Sequence, residues 1–442
     1  MSLSRRRFLS ATAAAATSCL AAPYVLRAAD PGRKYRTGLI GCGWWGKNIL
    51  KEAMASGRCK VTGLCDVDAT TLEVAADQVK ELSGDQAKTF KDFRELLDKD
   101  KPEVVIIATP DPWHALTAIA ALKAGAHVFL EKPTGHTVNE SRAMAAAAKQ
   151  AGRVVQVGLH RRIGPHHVSG MKFLRSGAVG KVGMVRLFAH GGGSGPERPS
   201  PNSPPPDGMD WDMWCGPAPL RPFNSKLHPG GWRSFLDYAN GTIGDWGVHW
   251  LDQVMWWSGE KYPKRVFSTA GRPVRGAPVL NDKEQTTDAP DHQTATFEFQ
   301  DFTCTWENRS FAANGAERHQ IGAYFYGTKG TLHIGWRDGW TFYPSNKNEK
   351  GAHEDAQLQE PDGHNIQLLW GDFVSAIEAR RPAVADIELA HRSSVLPLLA
   401  QVSVKVGRSI QWDADRERVV NDPQADALLS RPYRAPWVYP TA

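Results

Sequence analysis

Residues 35–54, YRTGLIGCGWWGKNILKEAM, carry the pattern that most restricts this chain: an apolar run that stops on glycines and resumes at a different period. Thr37 to Ile40 read as a short strand, Gly41, Gly43 and Gly46 as a Gly-x-Gly-x-x-Gly turn, and Ile49, Leu50, Ala53 and Met54 as one face of a helix. The first glycine permits a tight turn, the second lets the backbone approach a pyrophosphate, and the third lets helix and strand pack closely. The helix N-terminus then offers free N–H groups and a partial positive charge to phosphate. Glycines punctuate any turn, so the motif gains its weight from context. That context is a second strand within CKVTGLCDVD that leads into Asp66, twenty residues after Gly46. A carboxylate there accepts both hydroxyls of an adenine ribose and repels a 2′-phosphate. No Arg or Lys follows among Val67, Asp68, Ala69 and Thr70, so the pattern predicts NAD rather than NADP.

The alternation continues through PEVVIIATP, HALTAIAALKAG, AHVFLEKP, NESRAMAAAAKQAG and RVVQVGL. Strands buried on both faces and separated by helices of this length predict a doubly wound parallel Rossmann sheet over residues 35–157. Ligands of such sheets bind outside the carboxyl ends of the strands, here Thr109-Pro110-Asp111, Glu131-Lys132-Pro133 and His160-Arg161. At 442 residues the chain has room for a second domain, and the texture changes near residue 158. GGGSGPERPSPNSPPPDG is a Gly/Pro loop leading to the Trp-rich MDWDMWCGPAP. In TATFEFQDFTCTWEN, Ala295, Phe297 and Phe299 share a face, the chain turns at Gln300-Asp301, and Phe302, Cys304 and Trp306 align, as in an antiparallel hairpin. QIGAYFYGTKGTLHIGW and GWTFYP add strands, and two helices follow, NIQLLWGDFVSAIEARR and Asp386 to Gly407. Residues 158–442 are therefore expected to form an α+β domain with a large, mainly antiparallel open sheet.

Between them lies ANGTIGDWGVHWLDQVMWW, where Asp245 and His249 stand four apart and share a helix face. A histidine near neutral pKa takes a proton from an alcohol, and a carboxylate one turn away orients it. An N-terminal helix acid beside a core histidine gives the same spacing.

Six segments in order, GCGWWG, ATPDPWHA, EKP, GLHRR, GDWGVHWLD and YGTKGTL, resemble the glucose–fructose oxidoreductase, inositol dehydrogenase and rhizopine catabolism (Gfo/Idh/MocA) family from about Tyr35 nearly to the C-terminus. The resemblance implies a hydride-transfer enzyme. Lys132 would hydrogen-bond the reacting hydroxyl, His249 would be the general acid/base, and Asp245 would orient it or bind substrate. Thr109, Pro110, His114 and Glu131 would place the nicotinamide, and Lys132, with Trp44 and Trp45 beside the glycines, joins the candidate cofactor contacts. Trp232, Tyr238, Arg161 and Arg233, with Trp211, Trp214, Trp246 and Asp237, offer flat apolar faces and paired polar groups suited to a sugar, glycoside or cyclitol. His160, His166 and His167 lack a carboxylate at a recognised metal spacing, so no metal is expected. Relatives of this kind include nicotinamide-dependent glycosidases, which often read Asn-Gln-Gly-x-His where this chain reads Asp245-Trp246-Gly247-Val248-His249; the departure favours simple redox. A non-catalytic sugar-binding or partner protein is the third reading.

SRRRFLS, followed by an Ala-rich run interrupted by Pro23, reads as a twin-arginine export leader over residues 1–29, which implies delivery to the periplasm or beyond in a folded state. Carrying NAD out inside the folded protein would explain such a route. The formal charge is +6, and removing Arg5, Arg6, Arg7 and Arg27 leaves +2, no footprint for nucleic acid. Cys42, Cys59, Cys65, Cys215 and Cys304 are scattered, without a CxxC pair, and give no disulfide framework. Oligomers are common in the resembled family, and TATFEFQ supplies a candidate face.

Overall fold

The computed structural model describes residues 32–193, 195–358 and 361–441. The candidate leader lies outside the described residues. Strands β1 (Tyr35–Ile40), β2 (Cys59–Cys65), β3 (Lys88–Phe90), β4 (Val104–Ile107), β5 (His127–Leu130) and β6 (Val155–Val157) form one parallel sheet in the order β3-β2-β1-β4-β5-β6. All four side chains of β4 are fully buried, which is why its sequence is apolar without alternation. The helices between strands are α1 (Trp44–Ala55), α2 (Ala69–Ser83), α3 (Asp111–Lys123) and α4 (Val138–Ala151). Their ends follow local chemistry. Asp68 caps α2 by accepting from the Thr70 N–H, and Thr137 with Glu140 forms a capping box on α4. The edge strand β3 was not anticipated, because two of its three residues are exposed and Phe90 alone carries apolar signal.

The second sheet is built from β7 (Val182–His190), β8 (Arg265–Gly271), β9 (His292–Glu298), β10 (Thr303–Arg309), β11 (Ile321–Gly327), β12 (Gly330–Gly335), β13 (Trp340–Pro344), β14 (Ala352–Glu354), β15 (Ile410–Asp413) and β16 (Arg418–Val419). Its order is β14-β13-β12-β11-β7-β10-β9-β8-β15-β16, antiparallel except where β7 meets β10. The expected hairpin is β9–β10, with Ala295 opposite Trp306 and Phe297 opposite Cys304, all buried.

Two late helices tie the halves together. In α7 (Pro361–Ala379), Ile366, Leu369, Trp370 and Phe373 pack with Phe129, Ile49 and Leu50 of the first sheet's core. Sequence order gives no hint of that partnership. Helix α8 (Ile387–Val406) starts at the Asp386 cap and ends at Gly407 in the left-handed conformation, as expected. No described helix is long and apolar enough to cross a membrane.

Candidate active site

In the first sheet the strand order reverses between β1 and β4, so a crevice opens at their carboxyl ends. There a cleft of about 400 Å³ is lined by Gly41, Gly43, Trp44, Asp66, Thr109 and Pro110. Gly41 has φ +90°, and a Cβ on it would sit 2.7 Å from the Ala108 carbonyl oxygen. A Cβ on Gly46 would meet the Gly41 carbonyl oxygen at 2.0 Å, whereas one on Gly43 would meet nothing within 4 Å. The open space is at the glycine where a pyrophosphate must approach. Gly43 caps α1 without a side-chain bond, leaving the first N–H groups of the helix for an anion. Asp66 accepts from the N–H groups of Cys42 at 2.7 Å and Asp68 at 3.0 Å. These residues fit a dinucleotide.

Burial pushes the Asp66 carboxyl up to about 6. Only the ionised form accepts both ribose hydroxyls, so NAD affinity is expected to hold above that pH and to fall as pH drops through about 6. Titrating NAD affinity by tryptophan fluorescence across pH 5–8 checks this; a flat profile would remove Asp66 from the ribose.

The cleft has a roof from the other half of the chain: Met213, Trp214, His228, Pro229, Gly230 and Trp232. The Ala69 N–H donates to the Gly208 carbonyl at 3.2 Å, the Asp210 N–H to the Val67 carbonyl at 2.9 Å, and His228 Nε2 lies 3.9 Å from Asp68. The loop that bears the ribose carboxylate is thus strapped to the segment above it. Sequence reading missed this strap, which joins residues far apart in the chain.

Beyond the cleft, Lys132 follows β5, and its Nζ donates to the Asp245 carboxylate at 2.5 Å and the Asp245 carbonyl at 3.0 Å. Arg233 Nε stands 3.5 Å from the same carboxylate. Burial alone would raise Asp245, but Lys132 and Arg233 hold it below the usual carboxylate range. Asp245 occupies a π-helical turn, Ile243–Gly247, just before helix α6 (Val248–Ser258), which carries His249. The expected pairing of Asp245 with His249 is therefore corrected: the acid turns to the two cations instead. Burial, then Arg161, His160 and Lys132, drives His249 well below the ordinary histidine value. The neutral imidazole, the form able to accept a proton, is thereby favoured. Asp111, absent from the expected set, is buried beside them and pushed well up by desolvation, with Lys132 and Arg233 opposing.

Other expected residues take supporting places. His114 is 1% exposed, with Nδ1 2.7 Å from the Pro133 carbonyl and Nε2 3.0 Å from the Thr109 carbonyl, so it sits between the two loops that carry them. Glu131 is buried against Gly158, accepts the Lys132 N–H at 3.2 Å, and is raised to about 7 by burial, against Lys132 and the Trp45 indole. Trp44 is 72% exposed at the cleft. Arg233 stacks on Trp232, its guanidinium 4.3 Å from the ring centre. Arg161 is buried over Trp250, 4.8 Å from its centre, with Nε and Nη1 unpartnered. Tyr238 needs correction. It is fully buried in a small core with Trp211 and Trp214, and its hydroxyl donates to the Pro219 carbonyl at 2.8 Å, so no face is left for a sugar. Arg162 and Asp252, a fully buried bidentate pair at 2.7–3.0 Å, fasten the Leu159–Ile163 turn to the helix of His249.

Of the three histidines considered for metal, His160 bonds Asp362 at 3.1 Å and His166 bonds the Gly335 carbonyl at 3.1 Å. Among the described residues, two other groups have metal-binding composition. In the group of His190, Glu307 and Glu317, Arg186 pairs with both glutamates and Arg309 with Glu317. His319 and His333 lie face to face, ring centres 3.6 Å apart at 21°, so a point in the plane of one ring is out of the plane of the other.

A family model described as oxidoreductase family, NAD-binding Rossmann fold, matches residues 35–159, and one described as oxidoreductase family, C-terminal alpha/beta domain, matches residues 194–439. Inositol 2-dehydrogenase of Salmonella typhimurium (strain LT2) is 31% identical over 170 residues, 38% of this chain and 49% of that protein. Levoglucosan dehydrogenase of Pseudarthrobacter phenanthrenivorans is 34% identical over 153 residues, 33% of this chain and 38% of that protein. The chain spans about half the length of the first curated relatives it matches, 49% of the Salmonella enzyme. Among solved structures, levoglucosan dehydrogenase in complex with NADH and levoglucosan superposes with a TM-score of 0.66 at 20% identity, covering 86% of this chain and 99% of that one.

Proposed function

The chain belongs to the Gfo/Idh/MocA oxidoreductase family, and from that premise we propose that it is an NAD-dependent enzyme transferring hydride between a sugar, glycoside or cyclitol CH–OH group and the nicotinamide. The observation that carries the reading is the grouping of Lys132, Asp245 and a neutral His249 beside a cleft shaped for a dinucleotide. When bound, NAD would supply the hydride acceptor. Lys132, already a hydrogen-bond donor, stabilises the alkoxide that develops on the substrate oxygen. His249 takes the hydroxyl proton, and Asp245 fixes the Lys132 ammonium in place. Trp232 and Arg233 border the sugar. Reduction of NAD without release of an aglycone separates this reading from the glycosidase one; myo-inositol, D-glucose and levoglucosan are the probes.

The same proposal includes export by the twin-arginine leader to the periplasm or beyond, with the nucleotide already inside. The strapped roof supports retention, since the contacts of Val67, Asp68 and Ala69 with Asp210, His228 and Gly208 hold the roof segment over the ribose end of the cleft. Protein recovered after export without added cofactor and then denatured should release about one NAD per chain, by mass spectrometry. An empty protein would end the retained-cofactor proposal. Self-association through the sheet face bearing Phe267, Thr296 and Arg186, checked by light scattering, belongs to the same reading.

A further inference from the structure

A buried base that accepts a proton needs somewhere to send it. His249 is 6% exposed, and its Nδ1 is buried without a partner. The imidazole of His160 lies against it, ring centres 4.9 Å apart at 50°. Nδ1 of His160 is likewise buried and unpartnered, while its Nε2 bonds the Asp362 carboxylate at 3.1 Å. Asp362 also accepts from Trp336 Nε1 at 3.2 Å, and its side chain is 34% exposed. His160 thus stands between the candidate base and a part-exposed carboxylate, with the two buried Nδ1 atoms not bonded to each other.

We infer that His160 and Asp362 form a proton relay that connects His249 to solvent. It rests on the reading of His249 as the general base. In alcohol oxidation the C–H hydride leaves for the nicotinamide, the C=O bond forms, and the hydroxyl proton goes to Nε2 of His249. A water bridging the two unpartnered Nδ1 atoms takes the Nδ1 proton of His249 and gives one to Nδ1 of His160, whose Nε2 proton passes to solvent beside the Asp362 carboxylate. Reduction of a ketone runs the chain backwards and restores both tautomers. That suits an enzyme whose nucleotide stays bound between an oxidised and a reduced substrate.

The charges around His249 favour release of its proton, while the bond to His160 holds the Asp362 carboxyl well below the usual carboxylate range. Burial, then Arg161, His160, Lys132 and His167, disfavours a proton on His249. Burial lowers His160, and the bond to Asp362 opposes that, making His160 the better proton holder wherever the carboxylate is intact. Asp362 reaches the site from α7, about 200 residues beyond His160 in sequence, which hides the dyad from any local motif.

The test uses the full chain with histidine ring nitrogens labelled for NMR, together with His160→Gln, Asp362→Asn and Asp362→Glu. In the protein without substrate, Asp362→Asn should move the His160 titration to lower pH and change its tautomer balance. An unmoved His160 signal overturns the relay whatever the activity. In turnover with the fastest of the three probe sugars, His160→Gln and Asp362→Asn should each lower kcat about tenfold, shift its pH profile and leave KM within about twofold. Asp362→Glu should restore most of the rate. Unchanged pH profiles in both variants, with unfolding temperatures confirming that each is folded, overturn the proposal. His249→Ala is the separate control: full turnover there would sink the reading of the site itself rather than the relay alone.

Discussion

Lys132→Ala should lower kcat about 10³-fold while NAD affinity changes little, because it removes a charged donor used at the developing alkoxide and not at the nucleotide. The Lys132 side chain is 12% exposed and its ammonium is held by both the carboxylate and the carbonyl of Asp245, so its direction is set before substrate arrives. No neighbour replaces it. Arg233 is 3.5 Å from the shared carboxylate and would move closer to it once Lys132 is gone, neutralising Asp245 without reaching the same point. The Asp245 carboxyl should then titrate higher, since the larger of the two charges holding it down has been removed. Stopped-flow absorbance of NADH gives the hydride step, and fluorescence quenching gives NAD binding. Turnover within about tenfold of the parent would sink the assignment and turn attention to a sugar-binding role.

Gly46→Ala is the second large effect, expected to destabilise the N-terminal sheet by about 3 kcal/mol and to abolish measurable NAD binding. The added carbon would stand 2.0 Å from the Gly41 carbonyl oxygen and 3.3 Å from the Ala108 side chain. Backbone on both sides of the turn would have to move, displacing α1 from β1 and dispersing the N–H groups offered to phosphate. Gly43→Ala is the informative contrast. Its Cβ enters empty space, so thermal unfolding should match the parent while NAD binding still fails, the methyl occupying room reserved for the pyrophosphate. If Gly46→Ala unfolds like the parent and keeps NAD, the turn is more pliant than its contacts imply. If Gly43→Ala binds NAD normally, the pyrophosphate lies elsewhere.

The two glycine positions also show what a linear reading can reach. Strand, turn, helix and ribose carboxylate lie within 32 residues of one another, Tyr35 to Asp66, and each follows from local rules of period and conformation. The same holds for the β9–β10 hairpin, where alternation places Ala295 against Trp306 and Phe297 against Cys304. The site was harder. Lys132 and Asp245 were both candidates, yet the expected partner of Asp245 was His249, four residues on, because a regular α-helix puts those positions on one face. A π-helical turn over Ile243–Gly247 changes that face, and Lys132 offers a nearer charge. Tyr238 was a candidate by composition, but a phenol needs an exposed edge to meet a sugar, and its hydroxyl is spent on the Pro219 carbonyl.

What the residues determined by themselves was the set of local devices: the glycine turn that admits a dinucleotide, Asp66 at the ribose, buried parallel strands, an alternating second sheet, and the residue types able to move a hydride and a proton. These depend on spacings of a few residues, over which backbone geometry is nearly fixed. Only the tertiary structure decided the partnerships: Asp245 with Lys132, Asp362 with His160, the roof over the cleft, and α7 on the first sheet. Each joins groups more than a hundred positions apart in the chain. Charge and burial make such pairs favourable, but many residues of the right type compete for each place, and only packing of the whole chain selects among them.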